Sequence, residues 1–192
     1  YQKSFFKNKN SKVRLAVARA GNVIGGGDLS DNRIIPDAFK CWSKNNKLLV
    51  RSPYSTRPWQ FVLEPLFGYI ILAKNLNNKK YIGEVFNFGP KFKKHISTLN
   101  LIIKLNHYSR DFAKNNSYFY KNLKKNNYKE STLLQLNSSK ANMKLNWKCV
   151  LSINKTLMYC ADWYINYYTK KIDLLKFSLL QIDSYINEIK KN

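Results

Sequence analysis

Val13-Arg14-Leu15-Ala16-Val17-Ala18-Arg19-Ala20-Gly21-Asn22-Val23-Ile24-Gly25-Gly26-Gly27-Asp28 is the stretch on which the fold turns. Residues 13–19 form a short apolar run with β-branched members and no helical face, the pattern of a strand buried in a parallel sheet. The run enters a loop with three consecutive glycines, which either turns sharply or lets something approach its backbone. In open α/β sheets, ligands sit where a parallel strand's carboxyl end opens into such a loop. Asn22 is placed there to offer an amide to a phosphate or a sugar hydroxyl. Asn and Gly are also common turn residues, so the spacing leaves a plain turn open.

Outward from this junction, the chain alternates between helical and extended signals. A helix is predicted over 34–45, with Ile35, Ala38, Phe39 and Trp42 on one face. Leu48-Leu49-Val50 and Trp59-Gln60-Phe61-Val62 read as short strands, with Pro53 and Pro58 bracketing the turn between them. A second helix, 64–77, is expected to bury Leu66, Ile70, Ile71 and Ala73. Strand 84–88 stops at Gly89-Pro90. Ser97 and Ser152 are N-cap candidates, the first for a helix with Leu101, Ile102 and Leu105 inward. The second caps a helix to about residue 169 with Leu157, Ala161 and Tyr164 inward. Residues 110–130 read as a long polar loop with a short strand, and 133–136 as strand-like. In the tail, Ile172, Leu175, Leu179, Ile182, Ile186 and Ile189 make a heptad stripe on an amphipathic helix over 172–192. The stripe is short for a free coiled coil, so it is expected to pack against the body or a partner subunit, before a membrane surface.

Composition excludes several classes. With 192 residues and 44% apolar content the chain can bury a core. No apolar stretch is long enough to span a membrane, and no signal peptide is legible. Cys41, Cys149 and Cys160 are scattered and without CxxC spacing, which points away from a disulfide framework, a zinc site or a nucleophile and toward a reducing, cytoplasmic setting. His95 and His107 lack a metal-like partner set. The net charge of +23 invites a nucleic-acid reading. Lys is mixed irregularly with Asn, however, and Arg, the better bidentate reader, is scarce. Solvated surface is the plainer account, with anionic small molecules still attracted.

A second constellation is Arg51 with Thr56-Arg57-Pro58-Trp59-Gln60. Arg57 beside Pro58 at a strand start presents a fixed guanidinium fork, suited to a pyrophosphate. A surface ion pair with Glu64 is the alternative.

Taken together, Ala18-to-Asp28, Asp31-Asn32-Arg33-Ile34-Ile35-Pro36-Asp37, Arg57-Pro58-Trp59-Gln60 with Val62-Leu63-Glu64-Pro65-Leu66, and Phe86-Asn87-Phe88-Gly89-Pro90 carry a resemblance. So do Leu134 to Ala141, Leu145-Asn146-Trp147, and Phe177 to Tyr185. The chain resembles, over residues 1–186, the CDP-glucose 4,6-dehydratase group of the extended short-chain dehydrogenase/reductase family. The resemblance implies an α/β fold: the last strands of a Rossmann-type parallel sheet and a small α/β substrate-binding domain, with the NAD-binding half absent. It implies an NAD-dependent lyase that oxidises the sugar at C4, eliminates water across C5 and C6, and returns the hydride to C6, in polysaccharide biosynthesis.

By the same resemblance, Asn22 contacts the nucleotide sugar near its phosphates and Arg57 holds the pyrophosphate. Arg33, Ile34 and Leu49 to Arg51 line the nucleotide pocket, and Ala20 and Gly21 pass the nicotinamide. A homodimer is implied for the complete enzyme. Leu29 and Phe61 depart from the family's usual Trp and His. The family's glycine fingerprint and catalytic Tyr-xxx-Lys pair are not found: Tyr120 with Lys124 and Tyr167 with Lys171 match by chance in a chain rich in both residues, so the chain alone is expected to be inactive. Another nucleotide-sugar epimerase or dehydratase, and a non-catalytic nucleic-acid-binding protein, are the alternatives.

Overall fold

The computed structural model describes residues 2–6, 12–90, 96–114, 118–119 and 135–191. Helix α1 (Gln2–Phe5) precedes β1 (Val17–Ala20), and β2 (Asn22–Ile24) follows after Gly21 alone. The glycine loop then delivers the chain to α2 (Ile34–Trp42), where Ile35, Ala38, Phe39 and Trp42 are buried as expected. Next come β3 (Leu48–Leu49), β4 (Thr56–Arg57) and β5 (Trp59–Phe61), the last two separated by Pro58. Helix α3 (Leu63–Asn75) and a 3-10 turn (Lys79–Tyr81) return the chain to β6 (Val85–Phe88). Beyond lie β7 (Ile96–Ser97), α4 (Thr98–Tyr108), α5 (Arg110–Ala113) and β8 (Tyr118–Phe119). Helices α6 (Ser139–Leu145), α7 (Ile153–Thr169) and α8 (Leu174–Lys190) complete the described chain.

Strand β1 lies parallel to β6, with Val17 opposite Val85 and Ala20 opposite Phe88. Strand β2 lies parallel to β5, with Asn22 opposite Trp59 and Ile24 opposite Phe61. Parallel pairs require crossovers, and α2 and α3 lie within them. The β3–β8 pair is parallel and the β4–β7 pair antiparallel.

Three apolar clusters hold these elements. The first joins Ile24, Ile35, Phe39, Trp42 and Val50 to Leu101, Ile102 and Leu105 of α4 and to Leu157, Ala161 and Tyr164 of α7. Phe39 stacks on Tyr164 with ring centroids 4.9 Å apart. The second packs Phe86 and Phe88 of β6 with Leu72, Tyr81, Ala141, Leu145 and Trp147. The third gathers Phe61, Leu151, Tyr159 and Tyr185. Each fully buried large side chain contributes about 1.5–3 kcal/mol relative to exposure. Both serine caps form: Ser97 Oγ accepts from Asn100 N at 3.2 Å and Ser152 Oγ from Lys155 N at 3.2 Å.

The expected face of α3 is wrong. Glu64, Pro65, Gly68 and Leu72 are buried, Ile71 is half-buried, and Leu66, Ile70 and Ala73 are exposed. Gly68 decides this, because a Cβ there would meet Phe88 Cδ1 at 2.3 Å. The helix lies against β6 through its small residue and turns its branched aliphatics out. Apolar residues surround α3 almost completely, so periodicity alone cannot choose a face.

The tail stripe also turns outward. Ile172, Leu175, Leu179, Ile182 and Ile186 are exposed, and Ile189 is half-buried. Gln181 and Tyr185 are buried instead because each has a fixed partner: Gln181 Nε2 donates to Tyr159 O at 2.9 Å, and Tyr185 OH to Glu64 Oε2 at 3.0 Å. Residues 110–113 are helical rather than loop. Gln135 and Leu136 belong to no strand, while 120–134, with Tyr120 and Lys124, lie outside the described residues. Among the described residues, no helix is long and apolar enough to cross a membrane.

Candidate functional site

The carboxyl ends of β1 and β2 are held from three sides. Gly21 N and Gln60 Nε2 both donate to Phe88 O, at 3.3 and 2.8 Å, which ties the start of β2 to β5 and to the end of β6. A Cβ on Gly21 would lie 2.6 Å from the carbonyl oxygen of Pro58. Glycine is therefore required there by the protein's own proline. That contact and the register of Asn22 on Trp59 set the backbone of Arg57-Pro58-Trp59 beside Gly21-Asn22. Asn22 is half-buried, and its amide makes no hydrogen bond among the described residues. Arg57 Nη1 donates to Thr56 O at 3.0 Å. The strand that carries it is anchored through Ser55 O, which accepts from Thr98 N at 2.9 Å and Thr98 Oγ1 at 3.1 Å.

The glycine loop is filled by α7. A Cβ on Gly26 would fall 2.1 Å from Trp163 Cγ, and one on Gly25 2.5 Å from Val62 Cγ1. Gly27 meets nothing within 4 Å but has φ +86°, a left-handed turn position. Tyr164 OH donates to Asp28 O. Both readings of the triple glycine hold, and the groups that approach its backbone are the protein's own side chains.

The remaining predicted residues sit around α2. Arg33 is exposed at the N-cap, with its carbonyl accepting from Asp37 N at 2.9 Å. Ile34 is half-buried against the first cluster, and Leu49 is exposed on β3. Arg51, also exposed, lies close enough to Asp37 to favour its ionised form, although burial is the larger effect and pushes the Asp37 carboxyl up. Two groups result: Ala20, Gly21, Asn22 and Arg57 at the strand ends, and Arg33, Ile34, Leu49 and Arg51 around α2. Ile24, Ile34, Val50 and Trp59 of the first cluster link them.

Glu64 is a functional surprise. Its side chain is fully buried. Oε1 accepts from Val150 N at 2.9 Å and Leu151 N at 2.7 Å, Oε2 from Tyr185 OH, and its carbonyl from Trp147 Nε1 at 3.1 Å. Burial pushes this carboxyl up, against the pull of those donors. It is thus a junction between α3, the 147–151 segment and α8, engaged elsewhere than with Arg57. Gln60 and Glu64 carry a sequence signal, polar residues inside apolar runs, but their roles depend on partners distant in the chain.

A cleft of about 420 Å³ lies elsewhere, bordered by Gly89, Asn137, Ser139, Trp147 and Cys149. Lys148 is its only charged lining residue among those described, and no predicted site residue lines it. Burial pushes the thiols of Cys149 and Cys160 up, so neither is a thiolate near neutral pH. Tyr167 stacks on Trp163 in α7 with ring centroids 5.5 Å apart, a packing role for this tyrosine. No cluster of potential metal ligands occurs among the described residues.

No family model matches the chain. CDP-glucose 4,6-dehydratase of Salmonella typhimurium is 36% identical over 191 residues, covering 97% of this chain and 52% of that protein. UDP-glucuronic acid 4-epimerase from Bacillus cereus, in complex with UDP-glucuronic acid and NAD, superposes with a TM-score of 0.68 at 21% identity, over 83% of this chain and 48% of that one. UDP-glucose 4-epimerase from Thermotoga maritima, with UDP-glucose, gives 0.63 at 17% identity, over 82% and 48%. The chain is thus similar in sequence to a CDP-glucose 4,6-dehydratase and in fold to nucleotide-sugar epimerases. It spans about half the length of the curated relative it matches. The fold is that of the extended short-chain dehydrogenases, and NAD is the cofactor of the family.

Proposed function

We propose that this chain is the nucleotide-sugar-binding part of an NAD-dependent lyase that dehydrates CDP-glucose to CDP-4-keto-6-deoxyglucose. The observation that carries the reading is the junction of Gly21-Asn22 with Arg57-Pro58-Trp59 at the carboxyl end of parallel strands, where open α/β sheets bind ligands. The 36% identity to a CDP-glucose 4,6-dehydratase narrows the substrate class.

In this reading Asn22 donates its amide to the sugar or a phosphate oxygen, and the planar fork of Arg57 grips the diphosphate. Arg33, Ile34, Leu49 and Arg51 enclose the nucleoside, with Arg51 toward the base. Together they hold the glucosyl unit still, converting orientation into rate. Ala20 and Gly21 fit a flat cofactor ring, since both are small and half-buried at a strand end. NAD held beside Ala20 and Gly21 would supply reversible hydride transfer at the sugar. The Tyr–Lys acid/base pair of the family has no counterpart at this site, so the chain by itself binds nucleotide without turning over CDP-glucose. The complete enzyme acts as a homodimer in the cytoplasm.

The UDP sugars held by the structural neighbours support a second reading, a UDP-sugar epimerase of the same fold. Calorimetric titration with CDP and UDP separates the two. We expect CDP to bind more tightly than UDP, Arg57→Ala to weaken binding at least about tenfold, and Arg57→Lys to weaken it less. Preference for UDP would transfer the reading to the epimerases. Steeply salt-dependent RNA binding unaffected by CDP would replace both with a nucleic-acid reading.

A further inference from the structure

The candidate site is divided between two strand pairs. Ala20 ends β1, in the pair β1–β6, while Asn22 begins β2, in the pair β2–β5. Gly21 alone joins β1 to β2, so the placement of one pair against the other is left to noncovalent ties. Gln60 supplies such a tie. It lies on β5 opposite Val23, yet its Nε2 donates to Phe88 O, the last carbonyl of β6, at 2.8 Å. Gly21 N donates to the same oxygen at 3.3 Å. One acceptor thus holds both the residue before Asn22 and the strand against which Asn22 is registered. Phe88 is fixed in turn, its ring fully buried and edge-on to Trp147 with centroids 5.1 Å apart.

Burial by itself does not call for a glutamine here. Gln60 is 1% exposed, and its Oε1 has no hydrogen-bond partner among the described residues, a cost for a buried acceptor. A methionine of similar length removes that orphan, and Phe88 O keeps Gly21 N as its donor. What a methionine cannot do is tie β5 to β6. We propose that Gln60 is a positioning residue, which fixes the β2–β5 pair, and Asn22 with it, against the strand end at Ala20 and Gly21. This rests on the nucleotide-sugar reading, in which Asn22 holds the ligand near its sugar and Ala20 and Gly21 border the cofactor. Gln60 then sets the distance between the two bound molecules while its own side chain stays buried. A displacement of about 1 Å in such a distance changes a rate about a hundredfold. Arg57 is held separately, because its strand β4 is anchored through Ser55 and Thr98. The role of Gln60 is therefore exerted through Asn22 and not through Arg57.

Calorimetric titration of the chain with CDP-glucose, read together with thermal melting, tests this. Gln60→Met is expected to melt within about 3 °C of wild type and to bind CDP-glucose at least about fivefold more weakly. In an Asn22→Ala background the same substitution is expected to change binding less than about twofold, because the residue it acts through is gone. In an Arg57→Lys background the loss of at least about fivefold should remain. In the unsubstituted chain, an NMR titration should move the Gly21 backbone amide and the Gln60 side-chain amide at the same ligand concentrations as the Asn22 side-chain amide. A wild type that binds neither CDP nor CDP-glucose would remove the nucleotide-sugar reading and this role with it. Where the wild type binds, three results would overturn the positioning role alone. They are an unmoved Gln60 side-chain amide, a Gln60→Met chain that binds as tightly as wild type or melts far below it, and an equal loss with and without Asn22.

Discussion

At the scale of single residues, Glu64 is the most consequential position outside the candidate site. It is a carboxyl group taken out of water and supplied with two backbone N–H groups and a tyrosine hydroxyl. Glu64→Ala leaves all three donors unpaired and is expected to cost at least about 3 kcal/mol in chemical denaturation. Glu64→Gln keeps an acceptor for the two N–H groups and a donor for the Tyr185 oxygen, and is expected to cost about 1 kcal/mol. The folded chain holds this carboxyl above its ordinary range, so folding favours its protonated form. That contribution is complete at acid pH, below the ordinary carboxylate value, and is lost as pH rises through the raised value. The unfolding free energy of the wild type should therefore carry a falling component from about pH 5 upward that Glu64→Gln lacks. The sequence presents Arg57 as a fixed cation through its proline neighbour. Glu64 appears there only as part of a motif and as a surface ion-pair partner for Arg57, not as a buried junction. Its partners lie more than 80 residues away.

At the scale of elements, the glycine loop separates two meanings of glycine. Gly27 is glycine for its backbone, and Gly26 for the indole behind it. Gly27→Ala should cost about 1–2 kcal/mol from the left-handed conformation alone. Gly26→Ala drives a methyl group into Trp163 and should cost about 1–3 kcal/mol or more, with a change in tryptophan fluorescence as the ring shifts. Thermal melts of both variants, with emission spectra, check the distinction: only Gly26→Ala should alter the indole. The helices tell a related story. The inward face of α2 followed from its pattern, since Ile35, Ala38, Phe39 and Trp42 recur at helical spacing while Asp37 and Lys40 mark the opposite side. In α3 and α8 the apolar residues outnumber the positions one face can bury, and a close contact at Gly68 and a tyrosine bond at Tyr185 chose the face.

At the scale of the whole molecule, charge and topology act separately. A net charge of +23 on 192 residues raises self-repulsion in the compact state. Raising the salt from about 0.02 to about 0.3 M, which shortens the screening length severalfold, should raise the melting temperature. The sequence by itself determined helices α2, α3, α4, α7 and α8, strand β6, the capping serines and the family likeness. Each of these is written in neighbouring residues, where periodicity, caps and turn preferences act. The strand read over 13–19, by contrast, lies exposed at Val17–Ala20, and Asn22–Ile24 of the expected loop pairs as a strand. Only the tertiary structure decided that α7 fills the glycine loop, that Glu64 joins three segments, and that the tail's apolar stripe faces outward. Those outcomes depend on which distant surfaces approach most closely, a competition among packing alternatives that no local pattern encodes.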